Sequence, residues 1–158
     1  MKVILQRCID AKVTVNNNCV GSINKGLMLL VGFTNNDTLK EINYMVDKII
    51  NLRIFDDENS IMNKSLIDID GSILSISQFT LYADTKKGRR PSYVKALNGE
   101  HAIKLYDLFN ETLQLELNKK NSNCKVEKGI FGADMKVTFT NDGPVTIILE
   151  KASEKDGQ

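Results

Sequence analysis

The residues best suited to chemistry lie in two short stretches, and the first is SISQFTLYADTKKGRRPSY at residues 75–93. Polar Ser77, Gln78 and Thr80 stand there among apolar neighbours at the end of a predicted strand. Their hydroxyl and amide groups are suited to hydrogen-bond a polar substrate at the mouth of a pocket. The same groups can bond only to neighbouring backbone at an ordinary strand end, and spacing leaves both interpretations open.

Four cations follow directly, Lys86, Lys87, Arg89 and Arg90, and Tyr93 lies just beyond them. Clustered lysines and arginines neutralise phosphates, and an aromatic ring can stack on a nucleotide base. The segment KKGRR has one glycine and no following serine or threonine, so it is not a phosphate-cradling P-loop. It indicates either a nucleic-acid contact or a solvated loop.

The second stretch is TNDGPVT at residues 140–146. Asn-Asp-Gly is typical of a turn, and the apolar segments on both sides predict a plain hairpin. Pro144 also permits a cis peptide bond, which occurs in about 5–6% of X–Pro bonds in folded proteins. Gly143 has no side chain, so the backbone can approach another group closely there. The stretch is therefore either a turn or a backbone element that faces a substrate.

The usual catalytic and metal-binding constellations are missing from the sequence. His101 is the single histidine, in the first turn of a predicted helix, so Ser-His-Asp or Cys-His chemistry would depend wholly on it. Cys8, Cys19 and Cys124 are odd in number and lack metal-ligand spacing. We therefore expect no metal, no cofactor and no disulfide framework, and free thiols favour a cytoplasmic protein.

Composition narrows the class of protein further. The formal net charge is +1 at pH 7, so any nucleic-acid footprint must be local. No apolar run approaches the roughly 18 residues that span a bilayer, which predicts no membrane segment. With 158 residues, of which 42% are hydrophobic and 26% charged, the chain fits one globular domain.

Periodicity predicts the elements that hold the two stretches in place. Strands are predicted at 2–34 with a turn at 16–18, at 72–82, and on both sides of the Gly-Pro pair, and helices at 38–55 and 99–117. Asp37 or Thr38 can cap the first helix. We expect an α+β fold, a single compact domain over residues 1–150 with a mixed or antiparallel, barrel-like sheet and two main helices. The polar tail at 151–158 is expected to be frayed.

At these residues the sequence resembles the D-aminoacyl-tRNA deacylases, which are chirality-proofreading enzymes. SQFTL at 77–81 is similar to one family signature, and NDGPVT at 141–146 is similar to the other. Four further segments fit in the expected order: VILQRC at 3–8, RIF at 53–55, RRPSY at 89–93 and FGADM at 131–135. The resemblance covers about residues 1 to 150 and rests on two separated signatures.

The resemblance implies a substrate, a reaction and an assembly. The fold would be that of the deacylases, forming a homodimer with two active sites at the interface. The substrate would be the 3′ end of a tRNA, with its terminal adenosine and acceptor end, carrying a D-amino acid, and glycine on tRNA(Ala) would also be accepted. The reaction would be hydrolysis of the ester. A cis Gly143–Pro144 motif of one subunit would reach the partner's pocket and reject L-amino acids through its carbonyl oxygens.

The resemblance also implies roles for individual residues, in three groups. Ser77, Gln78, Phe79 and Thr80 would contact the adenosine and the reacting ester, with Arg7 supporting them from the first strand. The FGADM segment would line the adenosine end through Phe131, Gly132, Ala133 and Met135. The cationic loop would hold tRNA through Lys86, Lys87, Arg89 and Arg90.

Two mechanisms and one alternative function remain open at this point. Thr80 could be a nucleophile, but only His101 would be available to activate its hydroxyl. In the other mechanism the 2′-OH of the terminal adenosine helps to activate water, and backbone N–H groups near Phe79 and Thr80 form an oxyanion site. The scarcity of histidine favours the second mechanism. The alternative function is a catalytically idle RNA-binding module built on KKGRR.

Overall fold

The computed structural model describes residues 1–154 and contains seven strands and two α-helices. The strands are β1 (Lys2–Val15), β2 (Asn18–Gly32), β3 (Phe55–Asp56), β4 (Met62–Lys64), β5 (Ser72–Ser77), β6 (Val126–Lys128) and β7 (Lys136–Glu150). The helices are α1 (Leu39–Asn51) and α2 (Gly99–Lys120), and a short 3₁₀ helix spans Phe79–Tyr82.

Five strands form one mixed sheet in the order β6-β5-β2-β1-β7. β1 pairs antiparallel with β2 and β7, whereas β5 pairs parallel with β2 and β6. β3 and β4 make a separate two-stranded sheet. Asn16 and Asn17 turn the chain between β1 and β2 with φ of 49° and 64°, values that asparagine tolerates in a tight hairpin. The predicted α+β fold with a mixed sheet and two main helices is confirmed.

The buried run in β2 separates two apolar clusters. Leu27, Leu29 and Val31 pack into the larger cluster with α1 and α2, whereas Met28 points into a smaller cluster on the other face. The continuous apolar run GLMLLVGF at 26–33, bounded by glycines, predicts a strand that is buried on both faces, and the two clusters confirm this prediction. The large cluster anchors both helices against β2 and β5, so the C-terminal end of β5 has a fixed position.

Thr38, rather than Asp37, caps α1. The Thr38 hydroxyl accepts a hydrogen bond from the Lys40 N–H at 3.3 Å, and Glu41 Oε2 accepts one from the Thr38 N–H at 2.7 Å, which completes a capping box. Asp37 instead accepts hydrogen bonds from the amino group of Met1 at 2.9 Å and from the Thr34 N–H at 2.8 Å. Asp and Thr are both common N-cap residues, so the sequence pattern alone does not decide between Asp37 and Thr38.

The strand predicted at 72–82 is wrong in its second half. β5 ends at Ser77, and the Gln78 N–H donates to the Val31 carbonyl at 2.7 Å before the chain turns into the 3₁₀ helix. β2 itself ends at Gly32, so residues beyond Gln78 have no parallel neighbour with which to continue the ladder. Ser77 is therefore the last residue of the strand, whereas Gln78 and Thr80 lie on the turn that follows it.

The hairpin predicted at residues 140–146 is also wrong. β7 runs without reversal through this segment and pairs with β1 on both sides of it. Gln6 lies opposite Thr146 and Cys8 lies opposite Asn141, so residues 142–145 bulge out opposite Arg7 alone. Local turn chemistry is present, but the long partner strand β1 keeps both halves in one strand.

Part of the predicted tail contacts the domain. The Lys151 N–H donates to the Met1 carbonyl at 2.9 Å, Ser153 is buried, and Glu154 forms an ion pair with Lys40. Residues 155–158 lie outside the described part of the chain, so the prediction of a frayed tail is not tested there.

The three cysteines are free thiols in different surroundings, which gives a test of the fold. Cys8 and Cys124 are buried and Cys19 is exposed. Burial raises the pKa of Cys8 to about 12 and also raises that of Cys124, so neither forms the reactive thiolate at pH 8.

We expect one fast-reacting thiol per folded chain and three after unfolding in guanidinium, measured with a chromogenic thiol reagent. Cys19→Ser should remove the fast reaction, and fast labelling that persists in this variant would contradict the fold.

Candidate active site

A cavity of about 600 Å³ opens beside the end of β5. It brings together segments that are far apart in the chain: the turn after β5, the start of α2 and the loop before β7. It is lined by three residues of the SQFTL signature and four of FGADM: Ser77, Gln78, Phe79, Phe131, Gly132, Ala133 and Met135. Apolar walls with a few polar groups at one end are typical of small-molecule and cofactor sites.

The 3₁₀ helix places Gln78, Phe79 and Thr80 at the edge of this cavity. Gln78 and Phe79 line it, whereas the half-buried Thr80 does not. The Gln78 side-chain amide donates a hydrogen bond to Thr80 Oγ1, which fixes both side chains relative to each other. The first N–H groups of a helix have no acceptor within it, so those of Phe79 and Thr80 are suited to bind an oxyanion.

Aromatic rings form the rim and one wall of the cavity. Phe79 is 54% exposed, and its ring meets Tyr93 edge-on with centroids 5.1 Å apart. Tyr93 also lines the cavity, where an exposed pair of rings can stack on a base. Deeper in the molecule, the Tyr106 ring lies 5.8 Å from the Phe131 ring.

Tyr106 connects the cavity wall at Phe131 to the sheet. It was not among the site residues predicted from the sequence. Its hydroxyl donates to the Ser75 carbonyl at 2.7 Å, which ties α2 to β5. Burial raises the pKa of the Tyr106 hydroxyl, and its hydrogen bond to Ser75 opposes that rise in part. In the sequence Tyr106 looked like any apolar position of an amphipathic helix, so no local signal distinguished it.

The hydrogen bonds and ion pairs of Arg7 go to the β7 bulge and the start of β3, and none joins it to residues 77–80 of its own chain. Its Nε donates to the Asp142 carbonyl at 3.2 Å and its Nη1 to the Ile54 carbonyl at 2.9 Å. The Asp142 and Asp56 carboxylates lie 3.3 and 3.6 Å from the guanidinium nitrogens, and the Arg7 side chain is only 10% exposed. These contacts hold the bulge and the start of β3 against β1.

Gly143 and Pro144 lie on the outer side of this bulge. Both are exposed, neither lines the cavity of its own chain, and the peptide bond between them is cis. Gly143 has a φ of +121°, a backbone conformation that L-residues rarely adopt. This backbone is therefore accessible at the surface, outside the cavity of its own chain.

The cationic loop is exposed and separate from the cavity. Asp84 and Ser92 close it with a pair of backbone hydrogen bonds of 2.8 Å, and the loop turns at Gly88 with a φ of +67°. Its cationic residues are Lys86, Lys87, Arg89 and Arg90, and all four are exposed. Their ammonium and guanidinium groups are accessible to a polyanion.

His101 does not take part in the cavity. Its Nδ1 lies 2.9 Å from Asn98 Oδ1 at the start of α2, and the residue does not line the cavity wall. Among residues 1–154, no cluster of histidine, cysteine and acidic side chains is arranged to hold a metal ion. None of the helices in the same range is long and apolar enough to cross a bilayer.

Comparisons with known proteins agree with this arrangement. The model of the D-Tyr-tRNA(Tyr) deacylase family matches residues 4–150. A D-aminoacyl-tRNA deacylase of Clostridium botulinum strain Hall is 53% identical over 150 residues, 95% of this chain and 97% of that protein. The corresponding protein of strain Alaska E43 is 53% identical over 152 residues, 96% of this chain and 98% of its own.

Solved structures share the fold. The c-Myc DNA Unwinding Element Binding Protein superimposes with a TM-score of 0.88 at 40% identity, covering 97% of this chain and 100% of its own. A structure described as a probable eukaryotic D-amino acid tRNA deacylase has a TM-score of 0.79 at 21% identity over 94% of this chain and 97% of its own, which shows likeness of fold alone. The chain belongs to the D-Tyr-tRNA(Tyr) deacylase family.

Proposed function

We propose that this protein hydrolyses the ester of D-aminoacyl-tRNA and releases the free D-amino acid and tRNA. The observation that carries the proposal is the cavity at the end of β5, where Ser77, Gln78 and Phe79 meet the 131–135 segment in a chain of this family. A volume of about 600 Å³ accommodates an adenosine and an aminoacyl group. The free thiols suit a reducing compartment, so we assign the reaction to the cytoplasm.

Chirality would be selected by backbone groups of a second copy of the chain. Gly143 and Pro144 of the bulge are exposed, and pairing with β1 on both sides together with the Arg7 contacts holds the bulge in place. β7 is an edge strand and its Ile148 is 69% exposed, which suits a self-complementary interface.

In the homodimer the Gly143 and Pro144 carbonyls enter the partner's cavity, where an L side chain meets backbone and a D side chain points away. Glycine has no side chain to reject, so glycyl-tRNA(Ala) is accepted.

Hydrolysis would use the substrate's own 2′-OH rather than a protein base. The Thr80 hydroxyl oxygen accepts the Gln78 amide hydrogen, and no imidazole lines the cavity among the described residues. A hydroxyl without a base to take its proton is a poor nucleophile. The 2′-OH of the terminal adenosine orients the attacking water, and the Phe79 and Thr80 N–H groups stabilise the oxyanion.

The first test is deacylation of D-Tyr-tRNA, with L-Tyr-tRNA as the matched control. We expect release of D-tyrosine well above the buffer rate and hydrolysis of the L form no faster than in buffer. Tight tRNA binding with a steep salt dependence but no turnover would instead establish the RNA-binding alternative built on Lys86, Lys87, Arg89 and Arg90.

A second prediction concerns the backbone at Gly143. A Cβ at this position would lie 2.9 Å from Val145 Cγ2, 3.0 Å from Val145 N and 3.1 Å from Arg7 Nη2. Gly143→Ala should therefore distort the bulge and lower the rate on D-Tyr-tRNA by roughly a hundredfold, because small displacements at a site have effects of that size.

The stability control for this variant is Gly88→Ala. Gly88 also has positive φ, but a Cβ there would have no atom within 4 Å, so it should cost only about 1 kcal/mol in free energy of unfolding. Gly143→Ala should cost more than this in urea denaturation. Equal costs for the two alanines, with an unchanged deacylation rate, would show that the bulge takes no part in the reaction.

A third prediction separates the two mechanisms. Thr80→Ala should lower the deacylation rate by about tenfold or less, with Thr80→Ser as the variant that retains the hydroxyl. D-Tyr-tRNA ending in 2′-deoxyadenosine should react at least about a hundredfold more slowly, because the assisting hydroxyl is lost. Abolition of hydrolysis by Thr80→Ala, with a small effect of the deoxy substitution, would make Thr80 the nucleophile.

A further inference from the structure

A second cavity, of about 200 Å³, lies along the chain segment that follows the 3₁₀ helix. Lysines from three separate parts of the chain converge on it: the start of β1, the cationic loop and the loop before α2. Its polar and aromatic lining consists of Lys2, Tyr82, Asp84, Thr85, Lys86 and Lys95. We refer to it as the lysine cleft.

The lysine cleft contains more ammonium groups than carboxylates. Asp84 is the carboxylate among its lining residues, and Lys95 Nζ lies 3.6 Å from Asp84 Oδ2. Asp84 Oδ1 accepts a hydrogen bond from the Lys86 N–H at 3.0 Å. That hydrogen bond, together with the nearby charges of Lys95 and Lys86, lowers the pKa of Asp84, which stays ionised at neutral pH.

Lys2 brings a charge that no carboxylate balances. Its Nζ lies 3.5 Å from the Leu81 carbonyl and 4.6 Å from the centre of the Tyr82 ring, and both partners are neutral. Among residues 1–154, neither Lys2 nor Lys86 has a carboxylate oxygen within ion-pair distance. The cleft therefore carries a net positive charge, and backbone and ring contacts hold the ammonium group of Lys2 in place.

The position of the lysine cleft ties it to the candidate active site. Leu81, whose carbonyl holds Lys2, directly follows Thr80, and the Ala83 N–H donates to the Thr80 carbonyl at 3.0 Å. One short segment, residues 77–86, thus lines the large cavity with its first residues and the cleft with its last. A nucleotide in the large cavity would have its phosphodiester chain near these lysines.

We propose that the lysine cleft binds phosphodiester groups of the RNA strand whose terminal nucleoside occupies the active site, through Lys2, Lys86 and Lys95. The inference rests on the proposed function and adds two contacts, Lys2 and Lys95, outside the cationic loop. Ammonium groups around a small polar cleft recognise a phosphate as a point charge and carry no base specificity.

The experiment compares two short ligands that differ only in phosphate charge. One is a CCA trinucleotide carrying D-tyrosine through a 3′-amide in place of the ester, and the other is the same molecule with methylphosphonate linkages. By calorimetry, the wild-type chain should bind the charged ligand about tenfold more tightly, the size expected for a hydrogen bond to a charged group. The double variant Lys2→Gln/Lys95→Gln should lose most of this preference.

The matched control is Lys12→Gln/Lys25→Gln. It removes the same charge from two exposed lysines that line neither cavity, and it should keep the tenfold preference. The D-tyrosyl-amide of adenosine alone, which has no phosphate, should bind the wild type and both double variants equally, which shows that they are folded.

Three results would overturn the inference. A preference for the charged ligand that survives in Lys2→Gln/Lys95→Gln would place the phosphates elsewhere while leaving the proposed function intact. Loss of the preference in both double variants would show a general charge effect. Failure of the wild type to bind the adenosine amide or to deacylate D-Tyr-tRNA would overturn the proposed function, and this inference with it.

Discussion

The bulge of β7 depends on the hydrogen bonds and ion pairs of one nearly buried side chain, Arg7. Arg7 lies on β1 with only 8% of its surface exposed, so its charge needs close partners. Arg7 donates hydrogen bonds to the Asp142 carbonyl of β7 and to the Ile54 carbonyl before β3, and the carboxylates of Asp56 and Asp142 lie nearby. One side chain therefore joins three chain segments and supports the bulge in which Gly143 and Pro144 are exposed.

The cavity depends on a different constraint, the point at which β5 leaves the sheet. β2 ends at Gly32, so the parallel ladder stops at Ser77 and the chain turns tightly through the 3₁₀ helix. A Cβ at Gly32 would lie 2.9 Å from the Gln78 carbonyl, so the close approach of this turn to β2 requires a glycine. Packing of α2 through Tyr106 then closes the wall opposite the turn.

Features that local pattern determines can be predicted from the sequence, whereas features that depend on a partner far away along the chain cannot. The helices, the double-sided burial of β2 and the tight turn at Asn16 and Asn17 follow from periodicity and turn chemistry. The segment Asn-Asp-Gly-Pro is compatible with both a hairpin turn and a bulge. It forms a bulge here because β1 is long enough to pair with β7 on both sides of it. The partners of Arg7 and the role of Tyr106 depend on contacts more than 30 residues away along the chain.

Under the proposed function, the scarcity of catalytic side chains in this chain follows from the kind of groups that would form the site. Carbonyls at Gly143 and Pro144 and N–H groups at Phe79 and Thr80 belong to the backbone, which every residue supplies. The backbone conformation determines what these groups can bind, so the sequence indicates them only indirectly. The indications are a glycine at positive φ, a proline and a buried arginine. The proposed selection by backbone would also need no recognition of any particular side chain, so one site could accept different D-amino acids and exclude the L configuration.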